Sequence, residues 1–217
     1  MKYHSFIIIS ALALGIAACN STEKKLPILG EREAVEKVID GKTVTDTVYK
    51  TIPFFSFVNQ DSVIINSDSL NNSIYVADFF FTSCPSICPI MSKNMLSIYE
   101  KYKGNQEVRF LSYSIDPKHD TVPVLKKYAT KLGVKGTQWN FLLGNRDSVY
   151  LLARDGYMSY AKENAEIPGG VEHSGYFLLI DKEKRIRGAY DGTDKTQVDL
   201  LKADMDILLN EYKTQSK

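Results

Sequence analysis

The sequence predicts an α/β domain with a central mixed sheet, mostly parallel, flanked by helices. Three observations predict it. Short, nearly continuous apolar and aromatic runs recur at residues 74–81, 108–115 and 139–143, the pattern of strands covered on both faces. Stretches with apolar residues at helical spacing alternate with those runs, as crossovers between parallel strands do. Hydrophobic residues make up 44% of the 217 and charged residues 24%, enough to bury one core of ordinary domain size.

Taken in order, residues 21–50 are polar with scattered charges and no long apolar periodicity, so they read as a tether with one short strand at 44–49. The folded domain is expected over residues 51–217. It opens with a hairpin, 52–58 and 63–66, around the turn residues Asn59-Gln60-Asp61-Ser62. The run 74–81 ends at Thr82-Ser83-Cys84. Pro89 is then placed at the first position of a helix whose apolar side is Met91, Met95, Ile98, Tyr99 and Tyr102, ending at Gly104. Strand 108–115 closes at Asp116-Pro117, and 122–132 reads as a second helix with Gly133 behind it. Strand 139–143 leads to a short helix around 147–154. Residues 176–181 and 185–190 pair as a second hairpin, and 196–212 is an amphipathic helix with Val198, Leu201, Met205, Leu208 and Leu209 on one side. This succession is that of a thioredoxin-like fold, in which ligands lie beyond the C-terminal ends of the strands. The Cys84 loop leaves its strand at that end.

The N-terminus carries its own message. Met1-Lys2-Tyr3-His4 precedes the apolar run 6–18, which is shorter than the roughly 20 residues that span a bilayer and reads as a secretory signal. Its end, Ile16-Ala17-Ala18-Cys19, resembles the lipobox of bacterial lipoproteins. That resemblance implies a signal at 1–18, a lipid on Cys19, and a tether over 19–50. The chain is then exported and lipid-anchored to a bacterial membrane with its domain in the periplasm. Lys and Arg number 27 against 26 Asp and Glu, so no large field favours nucleic acid as a partner.

Of three cysteines, the anchor takes one and leaves Cys84 and Cys88 as a close pair. In an exported protein such a pair either forms a disulfide or holds a metal. A domain of this size does not need a staple to keep its core. Extended, Cys84-Pro85-Ser86-Ile87-Cys88-Pro89 would hold the two α-carbons about 13 Å apart; coiled into a turn they come within about 6 Å, inside disulfide range. Pro85 and Pro89 stiffen that turn, and Pro89 is expected to push Cys88 out of helical geometry into a cap-like position. A thiol near a helix N-terminus favours its thiolate. Imidazole is the natural third ligand for copper, and once His4 leaves with the signal, His119 and His173 remain. His119 lies in the charged stretch Asp116-Pro117-Lys118-His119-Asp120 and reads as surface; His173 lies in Gly169-Gly170-Val171-Glu172-His173-Ser174-Gly175, a flexible loop entering a strand. Residue chemistry alone leaves structural and ligand roles open for both.

Three motifs in order, Phe81-Thr82-Ser83-Cys84-Pro85-Ser86-Ile87-Cys88-Pro89, Ser114-Ile115-Asp116-Pro117-Lys118-His119-Asp120-Thr121, and His173-Ser174 before an apolar strand, resemble the Sco/SenC family of copper-binding cytochrome oxidase assembly proteins. The similarity spans most of residues 52–212. It implies one copper ion, Cu(I) or Cu(II), held by Cys84, Cys88 and His173, and a metallochaperone that serves the copper-bearing subunit of cytochrome c oxidase. Another periplasmic copper carrier is a further implied partner. Two thiolates and one neutral imidazole suit trigonal Cu(I), and oxidation of the redox-active Cys84–Cys88 pair to a disulfide would abolish the site. The resemblance equally admits a thiol:disulfide oxidoreductase acting on the copper-ligand cysteines of the oxidase, although the spacing is CxxxC and not CxxC. A copper or redox sensor is the third reading. Two departures stand out: a lipid in place of the membrane helix of many members, and Ser86 where the family often carries an acid. Met91, Met95 and Trp139 are expected in the core, and Asp116 and Asp120 are expected to cap the following helix or shape the site.

Overall fold

The computed structural model describes residues 24–164 and 171–215. Its strands are β1 (Arg32–Ile39), β2 (Lys42–Tyr49), β3 (Ser56–Asn59), β4 (Ile64–Asn66), β5 (Ile74–Phe80), β6 (Val108–Ser114), β7 (Trp139–Leu143), β8 (Ala161–Glu163), β9 (Val171–His173), β10 (Tyr176–Ile180) and β11 (Ile186–Asp191). The helices are α1 (Ile87–Tyr102), α2 (Val122–Lys131), α3 (Arg146–Leu151) and α4 (Lys195–Gln215). Seven strands form one sheet in the order β11-β10-β5-β6-β7-β3-β4. Its centre, β5, β6 and β7, is parallel, because helical crossovers join those strands. Hairpin-linked strands on either side run antiparallel. The mixed sheet flanked by helices is the class the sequence predicts.

Helices cover the centre on both faces, which is why its strands read as continuous apolar runs. On one face Tyr99 of α1 meets Phe110 and Trp139, and Tyr128 of α2 meets Phe80 and Phe141. On the other, the π-helical turn Leu152–Gly156 that continues α3 delivers Tyr157, whose hydroxyl joins those of Tyr75 and Tyr113 at 3.2 and 2.9 Å. Three phenols thus satisfy one another where water is excluded. Met91, Met95 and Trp139 are buried, as expected. Gly133, behind the C-cap of α2, sits at φ +76°, a conformation that closes a helix and that glycine adopts without strain.

The structure revises three sequence expectations. First, α1 begins at Ile87 with Ser86 as its N-cap, so Pro89 occupies the first turn and not the first position, and Cys88 lies inside the helix. A proline is tolerated there because the first turn's N–H groups have no acceptor within the helix. Second, residues 26–49 do not trail as a tether with a lone strand at 44–49. β1 and β2 form a hairpin with Asp40 and Gly41 at positive φ in its turn, crossed by a Lys37–Asp46 ion pair at 2.5 Å. Ahead of it, Leu29 N–H donates to the Ile186 carbonyl on the edge of β11, and Arg187 donates to the carbonyls of Leu26 and Pro27. Alternation in β1 and β2 is blurred by charges on both faces, and the buried Arg187 is a long-range partner that no local pattern reveals. Third, β8 and β9 pair in a small sheet that places His173 at a strand end, not in a flexible loop. Cys19 and the signal lie outside the described residues.

Candidate metal centre

The site is assembled where β5 ends. Buried on both faces, β5 carries the chain to Thr82, and there Asp120 holds it: the carboxylate accepts from the Thr82 amide at 3.2 Å, from the Thr82 hydroxyl, and from the Ser114 hydroxyl at 2.6 Å. Asp120 therefore shapes the base of the cysteine loop. It does not cap α2, whose N-cap, Thr121, makes no side-chain cap bond either. Burial pushes the Asp120 carboxyl upward against these donors. Cys84 follows, its N–H donating to the Phe81 carbonyl at 3.3 Å, and one turn later α1 presents Cys88.

His173 arrives from the opposite side through a second set of contacts. It pairs with Ala161 across the β8–β9 ladder, and the next residue's amide donates to the Tyr160 carbonyl at 3.1 Å. The hydroxyls of Ser159 and Ser174 are bonded to each other beneath it. Gly175 then passes close to α1: a Cβ there would stand 3.4 Å from Ile87 Cδ1. The Phe81 ring meets the imidazole edge-on at 6.0 Å.

The two sulfurs and a ring nitrogen lie within 4.8 Å of one another, and Cys88 Sγ is 3.5 Å from His173 Nε2. Donors about 2.0–2.3 Å from one metal stand about 4 Å apart in a trigonal set, so small side-chain rotations complete the fit. His173 Nδ1 is 3.1 Å from the Ser174 carbonyl, which can only accept. Nδ1 therefore carries the hydrogen, and Nε2 turns its lone pair toward the sulfurs. The cysteines carry no disulfide. The hydrogen bond from Cys88 holds the Cys84 thiol well below its ordinary range; burial opposes this, while the amides of Cys88 and Ser86 add to it. The same sulfur–sulfur contact and burial push Cys88 upward. Sharing one proton makes Cys84 the ready thiolate and Cys88 the protonated partner. Ser86 Oγ sits 3.6 Å from Cys84 Sγ, a polar neighbour without charge.

Cys84 and His173 are 7% exposed and Cys88 2%, so the pair is buried where β5 gives way to α1. The reason is packing: Phe81, Met91 and the His173 strand close over the turn. His119 is a surface residue, its side chain 72% exposed and its Nδ1 2.6 Å from Asp116. Sequence reasoning missed Asp78, buried in the middle of β5 and 3% exposed. Ser112 Oγ donates to it at 2.5 Å and in turn accepts from Trp139 Nε1 at 2.9 Å. Burial pushes its carboxyl up to about 6, opposed by Ser112 and His173. The available signal was an acid inside an apolar run that must be covered on both faces.

Residues 44–206 match the SCO1/SenC family. The SCO1 protein homolog of Bacillus subtilis is 30% identical over 167 residues, which cover 76% of this chain and 86% of that protein. Among solved structures, a SCO1/SenC family lipoprotein from Bacillus anthracis superimposes with a TM-score of 0.68 at 30% identity, over 74% of this chain and 95% of the other. BsSco, a Sco-family cytochrome c oxidase assembly protein with a disulfide switch, gives 0.63 at 28% identity over 73% and 93%.

Proposed function

This chain belongs to the SCO1/SenC family, and from that premise we propose that it is a copper metallochaperone of the cell envelope. Cys84, Cys88 and His173 take one copper ion as cargo and deliver it to the copper centre of cytochrome c oxidase during assembly. The observation that carries the reading is the convergence of two sulfurs and an aimed imidazole nitrogen within 4.8 Å. Two thiolates balance the charge of Cu(II) and leave one net negative charge on Cu(I), and sulfur with imidazole is a donor set that favours copper over hard cations. Delivery proceeds by ligand exchange with the acceptor's thiolates. Oxidation of Cys84 and Cys88 to a disulfide removes two ligands at once and couples loading to redox state. A lipid on Cys19 keeps the domain at the membrane that carries the oxidase; the lipoprotein from Bacillus anthracis supports this by likeness.

One observation favours a second reading, thiol:disulfide exchange: Cys84 and Cys88 are free thiols with their sulfurs within 4.8 Å, a contact that lowers the Cys84 thiol and raises Cys88. Cys84 would attack a disulfide of the oxidase subunit and form a mixed disulfide. Cys88 would then displace it, leaving the Cys84–Cys88 disulfide and a partner dithiol that has gained two electrons from the pair, one proton from Cys88 and one from water. His173→Ala separates the two. A carrier loses copper stoichiometry in this variant, whereas a reductase keeps its rate with a disulfide substrate. Full copper binding by His173→Ala would overturn the carrier reading.

A further inference from the structure

Asp78 has no part in the chemistry described so far. It lies on β5 six residues before Cys84, on the face that α1 and α2 cover, in register with Ser112 of β6. Trp139 of β7 donates to the Ser112 hydroxyl, which leaves that hydroxyl's hydrogen for the Asp78 carboxylate. The donor relay is fixed in direction and favours the ionised acid. Other titratable groups face Asp78 from the elements packed around it: Tyr128 of α2, Cys88 of α1 and His173 of β9 each couple to its charge. A lone acid in an apolar layer is a costly placement, yet this one lies below the metal ligands with a donor prepared for its anion.

We propose that Asp78 is the positioning residue that sets the oxidation state in which the site holds copper, its buried carboxylate favouring Cu(II) over Cu(I). This rests on the copper-carrier reading. With Cys84, Cys88 and a neutral His173, Cu(II) gives a neutral cluster and Cu(I) an anionic one. A further negative charge nearby in a poorly screened interior disfavours the anionic cluster selectively. At an effective dielectric of about 20, a charge that couples to Cys88 and His173 as Asp78 does changes the ratio of the two affinities by roughly tenfold, equivalent to about 59 mV for a one-electron couple. Protonation of Asp78 at lower pH has the same effect as its removal.

The test is the midpoint potential of the copper-loaded protein, followed optically from pH 5 to pH 8, for wild type and Asp78→Asn. At pH 8 the variant should lie higher by the equivalent of roughly tenfold. The wild-type potential should carry an inflection in the weakly acidic range that the variant lacks; Asp116 and His119, present in both, cancel in the comparison. Equal potentials with equal pH courses overturn the proposal and leave the carrier reading intact. A wild type that takes up no copper sinks the carrier reading itself, and this proposal with it. If Asp78→Asn does not fold, Ser112→Ala decides: loss of the donor raises the Asp78 pKa, so the inflection must move to higher pH, and an unmoved inflection refutes the assignment.

Discussion

Replacing Asp78 by asparagine should make the metal-free protein more stable at neutral pH by an amount that vanishes in acid. Burial raises this carboxyl from 3.8 to about 6. Between those values the folded state keeps a proton that the unfolded chain releases. With more protons bound in the folded than in the unfolded state, unfolding free energy falls as pH rises. The loss begins near the unfolded pKa and is complete above about pH 6. A shift of about two pH units corresponds to about 3 kcal/mol. Asparagine keeps the shape and does not titrate, so the stability difference, variant minus wild type, should grow by about 2.5 kcal/mol from pH 4 to pH 7.5. Urea unfolding followed by Trp139 fluorescence at closely spaced pH values measures it, and taking the difference removes the other acids. A stability difference independent of pH would refute the assignment of a buried, titrating acid beneath the site.

Asp120→Ala leaves the Thr82 amide and hydroxyl and the Ser114 hydroxyl without their acceptor. It should cost about 3 kcal/mol in denaturant unfolding and weaken copper uptake, because the base of the cysteine loop is released. Arg187→Ala leaves Glu211 buried without its guanidinium, removes one of the two arginines that hold Asp181, and frees the Leu26 carbonyl. A loss of about 3–5 kcal/mol is expected, with new proteolysis between Leu26 and Leu29, and unchanged copper stoichiometry, since the clasp lies far from the cysteines. Cys19→Ser should release the protein from the membrane fraction; retention there would remove the lipid anchor from the account.

The central sheet was legible because its strands obey local rules: β5, β6 and β7 are buried on both faces and read as apolar runs. The two cysteines and His173 were legible only through motif order, since nothing in the sequence shows the β8–β9 pairing that carries residue 173 to α1. The start of α1 was misplaced by reading Pro89 as its first residue, when the whole first turn of a helix tolerates proline. The closing of His173 over Cys88, the Asp120 clamp and the Arg187 clasp depend on residues 85, 38 and 160 positions apart, separations that no local periodicity encodes. Asp78 was visible as an anomaly in its strand, but its consequence depends on Ser112 and Trp139, which only the folded sheet brings to it.

The convergence of Cys84, Cys88 and His173 on one copper ion is tested most directly by X-ray absorption at the copper edge on the reduced protein loaded to saturation. One copper per chain, with two sulfur scatterers and one imidazole nitrogen lost in His173→Ala, is the expected result. Copper bound by nitrogen and oxygen alone, or a spectrum indifferent to the loss of His173, would contradict the account.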